Sequence, residues 1–179
     1  MKFLDTMAEH NHVGILTFSS GINKKVEIGP VPKTKFDLAA VVESSKAGGG
    51  TALYDAVKAA VEMADKYPLP GEAIRGVVLL TDGDRTDGKV KLSDQIELRT
   101  AQEQAVGNFV GEASANKTDL HGYRLAGTTA HPIHIFSIAY GKDADLEVLR
   151  IFSEATNSTF NKADPKNVTT VLEIFGKYF

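Results

Sequence analysis

Two stretches decide the fold. Gly48-Gly-Gly-Thr51-Ala-Leu-Tyr-Asp-Ala-Val57 opens a helix, and Arg75-Gly-Val-Val-Leu-Leu-Thr-Asp-Gly83 carries a strand into a turn. In the first, Leu53, Ala56, Val57, Ala60, Val61 and Ala64 recur at i, i+3, i+4, i+7, i+8 and i+11, which places them on one apolar stripe. The spacing predicts a helix from Thr51 to about Tyr67, ended by Pro68 and Pro70. In the second, Gly76 to Leu80 is apolar without in/out alternation. Such a strand suits a parallel sheet covered on both faces.

The same alternation of strand and helix extends to both sides. Val13 to Phe18 reads as a short apolar strand, punctuated by Ser19-Ser20-Gly21. Lys24 to Ile28, with its lysines and a following Gly29-Pro30, reads as an edge strand. A helix is expected from Thr34 to about Ser45, and a loop at Gly48 to Gly50. Downstream, Ile133 to Ile138 is a second continuously apolar strand. Asp143 can cap a helix running to about Thr156, with Leu146, Leu149 and Phe152 inward. Thr159 to Asn161 reads as a short last strand, and Asp164-Pro165 as a helix start burying Val168, Val171, Leu172 and Phe175. Leu92 to Ala115 is helical in pattern, and Asn116 to Ala130 is a polar surface loop. Phe3, Leu4, Met7 and Ala8 show helical spacing from the first residues, as if an element had begun upstream. The whole predicts one α/β domain: three layers, doubly wound, around a mostly parallel sheet.

Composition narrows the function. With 179 residues and 42% hydrophobic content the chain can bury a core. Its 20 Lys plus Arg against 23 Asp plus Glu leave a net charge of −3, which argues against tracking a nucleic-acid backbone. The absence of cysteine excludes a disulfide scaffold, a thiolate zinc site and a cysteine nucleophile. No apolar run approaches the ~20 residues of a membrane span, and the start lacks the apolar core of a secretory signal.

In an open α/β sheet, ligands gather at the carboxyl ends of the strands. Ser19-Ser20, Gly49-Gly50-Thr51 and Thr81-Asp82-Gly83 should converge there. Hydroxyl and carboxylate oxygens suit Mg²⁺ or Ca²⁺ rather than a soft metal. Each piece also has a plain reading: Thr51 as an N-cap, Asp82-Gly83 as a turn. Rival chemistries find less support. Asp82-Gly-Asp84-Arg-Thr-Asp87-Gly88 does not follow EF-hand spacing, so Asp84 and Asp87 read as solvated loop carboxylates. His131 and His134 point to opposite faces if they start a strand, and His10-Asn11-His12 reads as a turn. Ser19 and Ser20 lack a nucleophile elbow and an activating His, and there is no phosphate-binding glycine loop. Asn116-Lys-Thr, Asn157-Ser-Thr and Asn167-Val-Thr match a glycosylation pattern that also arises by chance.

GGGTALYDAV followed by RGVVLLTDG resembles the von Willebrand factor type A (VWA) domain family. VGILTFSS is similar to that family's second strand, and IHIFSIAYGKDADLEVLRIFSEAT to its fifth strand and following helix. The ending EIFGKYF is similar to bacterial VWA domains appended to extracytoplasmic solute-binding proteins, which implies an extracytoplasmic location. The resemblance spans residues 1–179, with an insertion at about 85–131 as its least familiar part. It implies a protein-binding module and not an enzyme. It also implies a metal-ion-dependent adhesion site at which Thr51 and Asp82 are ligands of Mg²⁺, Mn²⁺ or Ca²⁺, Asp82 through water. A partner's acidic residue would complete the coordination.

The family's Asp-x-Ser-x-Ser motif and the first, central strand that carries it have no match here. The family's strand order 3-2-1-4-5-6 then implies unpaired apolar edges on Val13–Phe18 and Val77–Thr81, and weak or absent metal binding. Three resolutions stand open: a fragment of a longer chain, a strand supplied by another chain, or direct pairing of the two edges. A fragment is the favoured origin. A further reading is a metal-independent accessory domain that self-associates through those edges.

Overall fold

The computed structural model describes residues 5, 7–46, 48–68, 73–83, 133–156 and 158–176. The order is β1 (His12–Phe18), β2 (Ile22–Pro30), α1 (Val31–Glu43), α2 (Leu53–Lys66), β3 (Arg75–Thr81), β4 (Ile133–Tyr140), α3 (Leu146–Ala155), β5 (Phe160–Ala163) and α4 (Val168–Gly176). The insertion at about 85–131, including its expected helix and loop, lies outside the described residues.

The strands form two separate ladders. β3, β4 and β5 make a parallel sheet in that order, while β1 and β2 pair antiparallel as a hairpin. Direct pairing of β1 with β3 does not occur, so that resolution of the open edges is overturned.

The parallel sheet is covered on both faces, as its uninterrupted apolar runs require. On one side of β4, Ile133, Ile135 and Ala139 meet Leu53, Val57 and Val61 of α2 and Leu149 and Phe152 of α3. On the other, Phe136 and Ile138 meet Phe175 of α4, with the Phe136 and Phe175 rings 5.2 Å apart. The alternation along β4 distributes one strand between two cores. α2 sits on β3 and β4 but also on β1 and β2, so it bridges the two ladders.

Two cations from strands finish helices whose last carbonyls lack intrahelical partners. Lys24 of β2 donates to the Ser44 carbonyl (3.1 Å) and hydroxyl (2.6 Å) at the end of α1. The buried Arg75 of β3 donates to the Ala64 and Asp65 carbonyls at the end of α2.

Several element starts differ from expectation. α1 begins at Val31, three residues before Thr34, because Pro32 in its first turn needs no donor there. α3 is capped by Asp145, whose carboxylate accepts from the Val148 N–H at 3.1 Å, not by Asp143. Burial of Ala144 fixes the approach of the chain and brings Asp145 to the cap. Asp164 does accept from the Lys166 and Asn167 N–H groups, but it closes a turn, and α4 starts at Val168. Met7 and Ala8 lie outside any helix, since the Ala8 carbonyl accepts from Asn11 in a turn that leads into β1. Phe3 and Leu4 are outside the described residues.

Candidate functional site

The three predicted loops meet at one rim, and backbone contacts hold them there. The Ser19 carbonyl, one residue past β1, accepts from the Ala52 N–H at 2.6 Å. The Ser20 hydroxyl accepts from the Gly50 N–H at 2.8 Å. Gly49 has φ +94, a left-handed conformation that disfavours side chains, and a Cβ there would stand 3.1 Å from the Ser19 side chain. This turn lets the loop cross the end of β1 and enter α2.

Thr51 is delivered to the end of β3. A Cβ on Gly83 would collide with the Thr51 hydroxyl, so the glycine after Asp82 is what lets the two loops touch. The plain reading of Thr51 as a helix cap is overturned. The cap position belongs to Ala52, and no side chain bonds the first turn of α2. Thr51 therefore leaves its hydroxyl directed to the other loop rather than to its own helix. Beside it, Thr81 is buried and its hydroxyl accepts from the Gly83 N–H at 3.3 Å, which tightens the turn. Asp82 is exposed at this turn.

The rim thus offers the hydroxyl of Thr51 and the carboxylate of Asp82 from adjoining loops. The serine hydroxyls are already engaged, Ser20 by Gly50 and Ser19 by the Asn23 amide at 3.0 Å. Asn23 was not singled out in the sequence. Its place four residues after Ser19, across Gly21, is the signal that could have found it. Among the described residues no three His, Cys, Asp or Glu side chains gather. An ion at this rim would rest on hydroxyl oxygens and one carboxylate, a hard donor set that fits Mg²⁺, Mn²⁺ or Ca²⁺.

Other candidate residues have structural duties elsewhere. His12 pairs through Nδ1 with the Tyr67 hydroxyl at 2.7 Å, at the opposite end of β1 from the rim. His134 Nδ1 lies 2.9 Å from the Thr156 carbonyl and so belongs to the sheet's packing against α3. Asp84, Asp87 and His131 are outside the described residues. No described helix is long and apolar enough to cross a membrane.

Comparison with known proteins follows this geometry. The profile of the family described as "von Willebrand factor type A domain" matches residues 1–174. Three solved structures share the fold. A von Willebrand factor type A protein from Catenulispora acidiphila superposes with a TM-score of 0.65 at 18% identity, over 97% of this chain and 35% of that one. The ArnB paralog VWA2 from Sulfolobus acidocaldarius gives 0.52 at 16% identity, over 96% of this chain and 36% of that one. The conserved hypothetical protein BatB from Bacteroides thetaiotaomicron gives 0.58 at 12% identity, over 98% and 80%. The chain spans about a third of the length of the first two. A comparison with curated proteins gives no significant match.

Proposed function

Because this chain belongs to the von Willebrand factor type A domain family, whose members generally mediate protein–protein interactions, we propose that its rim holds a divalent cation through which an acidic side chain of a partner protein is engaged. The observation that carries this reading is the Thr51 hydroxyl. It caps nothing in α2 and lies against Gly83, beside Asp82. Thr51 would hold the ion directly and Asp82 through water. The ion would supply a positive charge with a position left for a carboxylate. Mg²⁺ is the first choice, with Mn²⁺ or Ca²⁺ as substitutes. A carboxylate and a hydroxyl are few ligands for such an ion, so affinity in this chain is low. The module acts by binding, not by catalysis, and its place of action is outside the cytoplasm.

Calorimetry tests the proposal. Titrating Mg²⁺ into the 179-residue chain gives weak heats or none, whereas a chain extended upstream by a strand bearing Asp-x-Ser-x-Ser binds the ion. Thr51→Ala and Asp82→Ala in the extended chain each remove that binding. Silence of the extended chain would overturn the cation reading. The alternative, metal-independent association through sheet edges, is favoured by the unpaired inner edges of β1 and β3 among the described residues. It predicts that Thr51→Ala leaves partner binding unchanged.

A further inference from the structure

β1 and β3 run side by side without touching through hydrogen bonds, and one helix spans them. Their C-terminal ends both meet the loop that starts α2: Ser19 through Ala52, and Gly83 through Thr51. Their N-terminal ends both meet the end of α2: His12 through Tyr67, and Arg75 through Ala64 and Asp65. The two strands are therefore parallel and of equal length, seven residues each. At about 3.3 Å per residue they run about 23 Å, close to the about 21 Å of α2 above them. Strands at the ~4.8 Å spacing of a ladder would be bonded. β1 and β3 belong to different sheets, although the same helix packs on both. A helix body of about 10–12 Å diameter can touch both across one missing strand but not across several.

The composition of the edges points the same way. β2, on the outer side of the hairpin, carries Lys24, Lys25 and Glu27, charges that defend an edge against pairing. β1 has no charged residue besides His12 at its exposed start, and Arg75, the only charge of β3, is spent on the end of α2. Val77 and Val78 remain half-buried and Leu80 is 40% exposed in a strand that is otherwise core. Residues 84–132 contain no run of more than two hydrophobic residues, so they do not offer a strand of matching character.

We propose that the cleft between β1 and β3 takes one extended, apolar strand from a second polypeptide. It would lie parallel to both edges and join the two ladders into a single sheet. Its recognition is by main-chain hydrogen bonds on both sides, with β-branched side chains against α2. The inference does not depend on the cation reading, because the guest needs no oxygen-bearing side chain.

Hydrogen exchange with a synthetic peptide decides it. The probe is a Val/Ile peptide matched to β3 in length and flanked by lysine pairs, added to the 179-residue chain. The expected result is one-to-one binding, with amide exchange slowed about tenfold or more within Val13–Phe18 and Val77–Thr81 together. The same peptide with proline at alternate positions, which cannot donate to a ladder, gives no protection. No protection at millimolar peptide would overturn the proposal, as would equal protection by the proline peptide. A concentration-dependent dimer that protects the same amides without peptide would also overturn it, by making a second copy the occupant.

Discussion

β1 and β4 are built from similar residues yet end in different surroundings. His12-Val-Gly-Ile-Leu-Thr-Phe18 contains no buried residue, while in Ile133-His-Ile-Phe-Ser-Ile-Ala-Tyr140 all but His134 and Tyr140 are buried. β4 has a strand on each side and helices on each face; β1 has only β2 beside it. The difference teaches that an apolar run specifies a strand, but its neighbours decide whether that strand becomes core.

The contrast is measurable in stability. Ile135, 1% exposed, is expected to cost about 2–5 kcal/mol when replaced by alanine, as deletions in a filled core do. Ile15→Ala in half-buried β1 should cost about 1 kcal/mol, the middle of the range for ordinary substitutions. Urea denaturation of both variants tests the pair. Equal losses would mean that β1 is packed as tightly as β4.

Next in size is the tie between the halves. Gly83→Ala puts a methyl group against the Thr51 hydroxyl and should cost about 1–3 kcal/mol, the range for overpacking. It should also shift the backbone resonances of Ser19 and Ala52 on the far side of the loop, visible by NMR. Shifts confined to residues 81–83 would mean that the halves are not joined through this contact.

The smallest effect concerns the helix over the hairpin. Lys35 donates to Asp5 at 2.6 Å, and that hydrogen bond, followed by the lysine's charge, holds the Asp5 carboxyl below its ordinary range. A depressed folded value contributes stability above the unfolded value of about 4 and loses it as pH falls through the lower folded one. Lys35→Ala should return the Asp5 titration, followed by NMR, to the ordinary range. Because both partners are exposed, the change in stability should be near the limit of detection.

The α/β fold was legible because periodicity is a direct imprint of burial. Leu53, Ala56, Val57, Val61 and Ala64 are all buried in α2, as their stripe implies. Cap positions were less legible, since they depend on how the chain arrives. Asp143 and Asp145 are both good caps by type, and buried Ala144 selects between them. At the site, the meeting of Thr51 with the Asp82–Gly83 turn followed from the topology of strand ends. That Thr51 does not cap α2 could not be read from residue types, because a threonine after glycines suits either role. Asn23 went unread because its duty toward Ser19 exists only after the hairpin turns.

Whether the rim is one cation site is tested most directly by paramagnetic relaxation with Mn²⁺, which registers even weak occupancy. The expected result is selective broadening of the amide signals of Ser19–Ser20, Gly49–Thr51 and Asp82–Gly83 as a group, abolished by Asp82→Asn. Broadening that is absent there, or that follows exposed carboxylates such as Glu43 and Glu62 on the helices instead, would contradict it.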